Sequence, residues 1–460
     1  MKKYDAIIIG SGQAGTPLAK KLAQAGWKTA LVEQDKVGGT CVNYGCTPTK
    51  TMVASARMAY LARRGKEFGV PLAGFKMDMK TVISRKDKVV KQFHDGSEKH
   101  LLATKHLDLI YGAASFTGPA TVSVQLNKGG AQELTAKHIF IDTGARTAIP
   151  KIEGLNTVDY LTSTTIMDLA EVPKHLVIIG GSYIGLEFGQ MFRRFGSKVT
   201  ILDSSPRFLP KEDEDVANEL RKILEDEGIT IHTDARTEHI RKTTQIAVRA
   251  FIEKEVKFLQ CSHILIAAGR VPNTDKLNLH VPGVQMDTHG YIKVNNKLET
   301  NVSGIYALGD VKGGPAFTHI SYNDYIVVAK NLLEKGKATI KNRPVPYCLF
   351  TDPELGRVGL TEQDARAQGY KIKVATLPMA YVARAIETGD TRGMMKAVVD
   401  AKSGKILGVA IIGTEGGELM AIMQMAMAGG ITHMELRDTI FAHPTYAESI
   451  NNLFMKLDKI

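Results

Sequence analysis

The chain has 460 residues, 44% hydrophobic and 23% charged, a balance that excludes a disordered protein and supplies material for roughly three domains with buried cores. Its formal net charge of +11 comes from scattered lysines and arginines without a basic tail, which reads as a solvated surface attractive to anionic substrates and not as a nucleic-acid interface. No apolar run is long enough to span a bilayer, the N-terminal one breaks into glycines too early for a signal peptide, and cysteines number only four; the expectation is a cytoplasmic protein with neither membrane nor nucleic-acid partners.

Asp5 to Ile9 is a short isoleucine-rich run of the kind that forms a buried parallel strand. It opens into Gly10-Ser11-Gly12-Gln13-Ala14-Gly15, followed by a helical pattern from Thr16 to Gln24 and a second strand, Thr29 to Val32, ending at Glu33. In such a GxGxxG unit the glycines make the tight turn (Gly10), let backbone approach a pyrophosphate (Gly12) and let helix pack on strand (Gly15), while Glu33 can accept from a ribose hydroxyl.

Two of the cysteines follow, five apart, in Gly38-Gly39-Thr40-Cys41-Val42-Asn43-Tyr44-Gly45-Cys46-Thr47-Pro48-Thr49-Lys50. An alanine-rich helical run from Met52 to Ala62 comes next, and Pro48 suits that helix's first turn, which puts Cys46 at a helix N-terminus where free amides and the dipole favour a thiolate. A zinc site needs about four ligands and none cluster nearby. A structural disulfide, or two merely buried thiols, remain open on this segment alone; the neighbouring nucleotide unit favours a redox-active dithiol. Met58 to His106 reads as helices carrying many lysines and arginines, inserted in the first domain.

The first unit is then repeated. Leu176 to Ile179, Gly180-Gly181-Ser182-Tyr183-Ile184-Gly185, a helix from Leu186 to Phe195 and the strand Lys198 to Leu202 ending at Asp203 reproduce its spacing. His138-Ile139-Phe140-Ile141-Asp142-Thr143-Gly144-Ala145-Arg146 is likewise echoed by His263-Ile264-Leu265-Ile266-Ala267-Ala268-Gly269-Arg270. Two units in register predict two dinucleotide-binding domains and two bound nucleotides. After a polar connection over 272–300, a strand ends in Gly309-Asp310, where an aspartate can hydrogen-bond a cofactor's polyol chain or cap a turn.

Pro344-Val345-Pro346 marks a boundary. Beyond it, Pro346 to Leu360, Lys371 to Ala380, Met394 to Val399 and Ile406 to Ile412 read as strands, and Glu415 to Ala428 and Met434 to Ile440 as helices. The methionines from Met420 to Met427 read as core or subunit-interface packing, because methionine fills gaps in helices. Near the end, His443 and Glu448 flank a Pro444 turn and can form a base with its orienting carboxylate. The fold class is therefore α/β: two Rossmann-like dinucleotide-binding domains plus a C-terminal α+β domain.

These residues together resemble the flavin-dependent pyridine nucleotide-disulfide oxidoreductases over essentially the whole chain. Gly39 to Lys50 matches that family's redox motif, and the Gly309-Asp310 strand end and His443-Pro444-Thr445 with Glu448 match its other hallmarks. The resemblance implies FAD on the first fingerprint, a nicotinamide nucleotide on the second, and a homodimer in which one subunit's C-terminal domain completes the other's site. It implies boundaries of 1–145 and 272–343 for the FAD domain, 146–271 for the NAD(P) domain and 344–460 for the dimerisation domain. Cys46 would be the thiol beside the flavin and Cys41 the one exchanging with substrate; Lys50 and Glu187 would be an ion pair near the flavin, Tyr183 a gate for nicotinamide, and His443 with Glu448 an acid-base pair from the partner chain. The flavin would touch Gly39, Thr40, Lys50, Ala113, Thr143, Gly144, Gly309, Asp310 and Thr318 besides the first fingerprint. The nicotinamide nucleotide would touch Gly180, Gly181, Ser182, Ile184, Gly185, Asp203, Gly269 and Arg270.

Departures narrow the expectation. Ser182 stands where the second fingerprint has its middle glycine. Asp203 would repel a 2′-phosphate and favours NADH over NADPH, although Ser204, Ser205 and Arg207 keep NADPH open. The last ten residues hold no cysteine, unlike mercuric reductases and large thioredoxin reductases in their full form. In Pro346 to Phe350, Asp390 to Gly393 and Ser449 to Phe454 the chain is similar to the mercuric-reductase-like bacterial branch that includes the reactive-chlorine-response reductase. The expected activity is electron transfer from NAD(P)H through FAD to the Cys41–Cys46 disulfide and on to a small disulfide or a metal ion. The alternatives are a dihydrolipoamide dehydrogenase and a redox-sensing flavoprotein.

Overall fold

In the computed structural model, which describes residues 1–459, the strand Lys2–Ile9 lies in the middle of a parallel sheet. Thr29–Glu33 pairs on one side and Ala131–Ile141 on the other; Leu107–Gly118 and Ile305–Ala307 extend the two flanks. Helices cover one face of this sheet, and the meander residues Phe116, Val122 and Val124 with Leu277 and Ile292 cover the other, so its strands are buried on both faces and carry apolar residues at consecutive positions, Ile7, Ile8 and Ile9 among them. Leu107–Gly118 and Ala131–Ile141 are long enough to leave the parallel sheet and pair with Thr121–Leu126 in an antiparallel meander, which the sequence reading did not anticipate.

The second sheet repeats the first. Ile229–His232, Lys198–Leu202, His175–Ile179, His263–Ile266 and Leu161–Thr162 are parallel neighbours in that order. It too carries an antiparallel meander, Arg236–Lys242, Ile246–Ile252 and Glu255–Cys261. The chain enters this unit through Ala145–Thr147 and leaves it through Arg270–Pro272, and those two segments pair with each other. The helix expected from Leu186 begins at Tyr183, because Ser182 supplies the extended backbone, φ −89° and ψ −178°, that precedes a first helical turn.

The helices expected over 58–106 are the end of Cys46–Arg64, a short 3-10 turn Gly65–Phe68, and Met79–Leu102 capped by Asp78. The intervening residues 69–78 carry Gly69, Pro71 and Gly74 and are non-helical.

The C-terminal sheet is antiparallel, in the order Tyr347–Leu349, Glu354–Gly359, Ile406–Gly413, Met394–Asp400, Ile372–Pro378. The run expected as one strand over 346–360 is two, turning at 350–353. Gly416–Gly429 packs on this sheet with Met420 and Met423 in the core, while Met425 is exposed. The helix His433–Asp438 is fixed by a capping box in which Thr432 and Glu435 satisfy each other's backbone amides. A last helix, Ser449–Met455, was not read from the sequence.

Candidate active site

A cavity of about 1280 Å³ runs along the strand ends of the first sheet, under the start of the second fingerprint helix and against the C-terminal domain. It is lined by Gly10, Gly12, Glu33, Gly39, Thr40, Cys41, Cys46, Lys50, Ala113, Thr143, Gly144, Tyr183, Ile184, Glu187, Arg270, Asp310 and Thr318. Thus the dithiol, the first fingerprint, the Gly-Asp strand end and the entry to the second fingerprint share one space.

Backbone geometry puts the sulfurs there. Gly38 and Gly39 have φ of +100° and +60°, conformations a side chain resists, and they turn the chain into the short helix Gly39–Asn43 that carries Cys41. Gly45 then starts the helix Cys46–Arg64, so Cys46 occupies its first position. Both cysteines are present as free thiols in this structure. The Thr318 hydroxyl donates to Cys41 Sγ at 3.1 Å and lies 3.3 Å from Cys46 Sγ. Cys46 is held below the ordinary thiol range, chiefly by the hydrogen bond from Cys41, with Thr318 and the Lys50 cation helping against burial. Cys41 is correspondingly pushed up, by that same bond and then by burial.

Lys50, one turn along from Cys46, donates to Glu187 Oε2 at 2.6 Å, and its ammonium lies 4.7 Å from the centroid of the Phe350 ring. Glu187 is buried and its other oxygen accepts from the Phe350 amide at 2.9 Å. The pair therefore joins the dithiol helix to the helix Tyr183–Phe195 of the second unit. Tyr183 is half-buried, 6.1 Å from the Phe317 ring.

The first fingerprint is closely packed. A Cβ at Gly10 would meet Asp142 O at 2.3 Å, one at Gly15 would meet Gly10 O at 2.2 Å, and one at Gly39 would meet Gly12 Cα at 2.9 Å. Glu33 is partly occupied by the protein itself: Ser11 donates to its Oε2 from the backbone at 3.0 Å and from the hydroxyl at 2.6 Å, and the Asp35 amide donates to Oε1 at 2.8 Å. Asp142 is a site residue that the sequence reading passed over. Buried at the strand end, it accepts from the Gly15 amide at 2.6 Å and its other oxygen lies where a Cβ on Gly309 would be, 2.6 Å away. Burial raises its carboxyl well above the usual range. The signal was in the repeat itself, since the echoed strand has Ala267 in its place. Asp310 faces Arg270 at 3.4 Å, and Arg270 Nε is buried without a partner among the described residues. An unpaired guanidinium nitrogen, open space beside Gly144 and a cavity of this size fit a bound dinucleotide.

At the second fingerprint, Gly180 has φ +110° with a would-be Cβ 2.4 Å from Ala267 O, and at Gly185 a Cβ would meet Gly180 O at 2.1 Å. Asp203 lies against Gly181, whose Cβ would come within 2.8 Å of it, and accepts from the Ser205 amide at 3.2 Å. Ser182 is exposed and makes no cap bond; Gly269 has φ +115° and open space around it. Gly180, Gly181, Ser182, Gly185, Asp203 and Gly269 lie beyond the lining of the large cavity, which reaches only Tyr183, Ile184 and Arg270 of that set.

His443 and Glu448 are brought together, with Nδ1 2.9 Å from Oε2, but not next to the sulfurs: the His443 side chain is 72% exposed and outside the cavity of its own chain. The expected base therefore serves no thiol within one subunit.

Comparison with known proteins places this geometry. Residues 4–324 match the pyridine nucleotide-disulphide oxidoreductase family and residues 345–454 its dimerisation domain. The chain is 40% identical to the probable pyridine nucleotide-disulfide oxidoreductase RclA of Escherichia coli K12, covering 99% of both chains. It is 36% identical to a mercuric reductase of Staphylococcus aureus, covering 99% of this chain and 83% of that one, and 36% identical to a dihydrolipoyl dehydrogenase of Thermus scotoductus, covering 98% and 96%. Among solved structures, a Cu(II) complex of the HOCl-induced flavoprotein disulfide reductase RclA of E. coli superposes with a TM-score of 0.91 over 99% of both chains, at 40% identity. With one family model matched over 4–324 and its dimerisation domain over 345–454, the chain belongs to the pyridine nucleotide-disulfide oxidoreductases, a family of flavoproteins.

Proposed function

We propose that this protein is an NAD(P)H-dependent reductase that sends electrons through FAD to the Cys41–Cys46 pair and on to a small disulfide or a thiophilic or redox-active metal ion. The observation that carries this reading is the arrangement of Cys41, Cys46, Thr318 and the Lys50–Glu187 pair in one cavity with the first fingerprint and the start of the second. When bound, the flavin supplies hydride acceptance from the nicotinamide and transfer of that electron pair to sulfur.

The rest belongs to the chain. The first fingerprint with Gly39, Thr40, Ala113, Thr143, Gly144, Gly309, Asp310 and Arg270 would hold the flavin nucleotide. Lys50, tied to buried Glu187, would keep positive charge near the sulfur and Cys46 as its thiolate. Cys41 is the half-buried, exchanging thiol; attack by its thiolate on an acceptor disulfide forms a mixed disulfide, and Cys46 then displaces the second thiol as the intramolecular bond closes. Two electrons leave the pair and two thiols form, with one proton needed at each departing sulfur. The exposed His443, oriented by Glu448, would handle those protons in the cavity of a second copy, with a homodimer as the working unit. The domain limits 1–145, 146–271, 272–343 and 344–460 go with this reading.

NADH is the favoured reductant. Asp203 presents its carboxylate beside the fingerprint backbone, and the Arg207 guanidinium, which would welcome a 2′-phosphate, donates instead to the carbonyls of Pro210 and Glu212 at 2.8 and 3.2 Å. Reduction of metal ions is supported by likeness to mercuric reductases and to a protein solved as a copper(II) complex. The dihydrolipoyl dehydrogenase relative supports a second reading in which the same groups run in reverse to NAD. Cys46→Ser should abolish NADH-driven reduction of every acceptor while the purified protein stays yellow; undiminished turnover in that variant would show that electrons leave without the thiol pair. Negligible rates with dihydrolipoamide and NAD would dismiss the second reading.

A further inference from the structure

The antiparallel register of Tyr347–Leu349 on Glu354–Gly359 sets Tyr347 directly opposite Arg357. Cross-strand partners share a face of the sheet, and here both reach one carboxylate of the second dinucleotide unit. The Tyr347 hydroxyl donates to Glu212 Oε1, and Arg357 Nε donates to Glu212 Oε2 at 2.9 Å. Glu212 and Arg357 are buried, so neither charge has water as an alternative partner. Burial and the Glu212 charge keep the phenol protonated far above its ordinary range, which makes it a permanent donor.

The anchored ring faces the reacting groups. It stacks on Phe317 at 5.7 Å with 7° between planes, and Phe317 in turn lies 6.1 Å from Tyr183. Phe317 immediately precedes the helix Thr318–Leu333, so the seat of its ring fixes where the next side chain begins. That side chain is Thr318, whose hydroxyl spans the two sulfurs at 3.1 and 3.3 Å. No proton or electron transfer described above requires Tyr347, Phe317, Glu212 or Arg357.

We infer that Tyr347 is a positioning residue: pinned by Glu212 and Arg357 of two other segments, its ring seats Phe317 and thereby holds the Thr318 hydroxyl between Cys41 and Cys46. The inference rests on reading those cysteines as the redox pair, and it ties the second dinucleotide unit and the C-terminal sheet to the sulfurs through a single stack.

The test is iodoacetamide alkylation of the reduced holoenzyme at pH 7, followed by mass spectrometry of the Cys46 peptide, alongside NADH-driven turnover. Tyr347→Leu should slow alkylation of Cys46 about threefold to tenfold, the effect of losing one hydrogen bond to a thiolate, and lower kcat by a similar factor. Tyr347→Phe keeps the ring against Phe317 but drops the bond to Glu212, and should fall between the parent and Tyr347→Leu in both. In Thr318→Val, adding Tyr347→Leu should cause no further loss, because the two act through one contact. A native alkylation rate in folded Tyr347→Leu, a Phe variant as slow as the Leu variant, or losses that simply add would each overturn the inference. Should Tyr347→Leu not fold, Phe317→Leu leaves the Glu212–Arg357 pair intact and must show the same slowing, and a native rate there is equally fatal. Alkylation needs no acceptor. Native alkylation in the Leu variant with turnover lost in Cys46→Ser therefore removes this inference alone, while turnover surviving in Cys46→Ser removes the redox reading.

Discussion

Replacing Lys50 with Met should raise the titration of the Cys46 thiol. In the folded protein Cys46 is lowered to about 6, so at pH 7 roughly 90% of it is thiolate. Lys50 is one of the groups holding it down, while Glu187, the ammonium's partner at 2.6 Å, pushes the other way. Taking away the ammonium removes a lowering charge and leaves the buried carboxylate uncompensated, so both changes act in the same direction. An opposite charge at close range is worth about 1 to 3 pK units, and with Lys50 about a third exposed the lower part applies, a rise of roughly 1 to 2. Thiolate at pH 7 then falls to between about 50% and 10%, and alkylation of Cys46 slows about twofold to tenfold. Above pH ~9 the variant and parent should converge, since both are then largely ionised. The assay is the rate of iodoacetamide labelling of the Cys46 peptide against pH. Lys50→Met/Glu187→Gln, which removes both charges, should bring the midpoint part of the way back. A folded Lys50→Met variant with an unmoved midpoint would refute the assignment of Lys50 as the thiolate's counter-charge.

Three further outcomes follow from the same geometry. Gly39→Ala puts a methyl 2.9 Å from Gly12 Cα at φ +60°, so the protein should purify with well under half its flavin, measured as the ratio of flavin to protein absorbance; full occupancy would mean the fingerprint loop yields without cost. Asp203→Ser should narrow the preference for NADH over NADPH, about tenfold in the ratio of kcat/KM values, by removing a carboxylate from the second fingerprint; an unchanged ratio would take the adenosine ribose away from Asp203. Arg194→Met removes a buried guanidinium that holds Glu227 Oε1 at 2.7 Å and Asp352, and it also lies 4.1 Å from the Tyr60 ring centroid. Each carboxylate keeps another arginine, Arg392 at 2.8 Å from Glu227 and Arg57 at 2.8 Å from Asp352, so the loss should be that of charged hydrogen bonds, about 1.5 to 3 kcal/mol, read as a lowered midpoint in a urea melt; an unmoved midpoint would mean the neighbouring arginines take over the whole role.

Local chemistry determined much of this protein. Glycines at fixed offsets between an isoleucine run and a helix permit only a few backbone paths, so both fingerprint units, their repeat and the helix start at Cys46 were readable from Gly10 to Gly15, Gly180 to Gly185 and Gly45-Cys46. Tertiary structure decided what depends on pairing between distant segments. The meander at 107–141 is built on two long strands of the first sheet and the one at 236–261 is a separate three-stranded sheet, and their half-exposed residues lack the unbroken apolar signature of a buried strand. Asp142 gains its role only because strand pairing carries it under Gly15, 127 residues away in sequence. Thr318 reaches the sulfurs from 272 residues along the chain, and Tyr347 stacks behind it on Phe317 from the C-terminal sheet; no periodicity encodes such an approach. His443 marks the opposite case: its motif was legible and its pairing with Glu448 is formed, yet a single folded chain leaves it in solvent, and on the reading proposed above the surface it serves belongs to another copy.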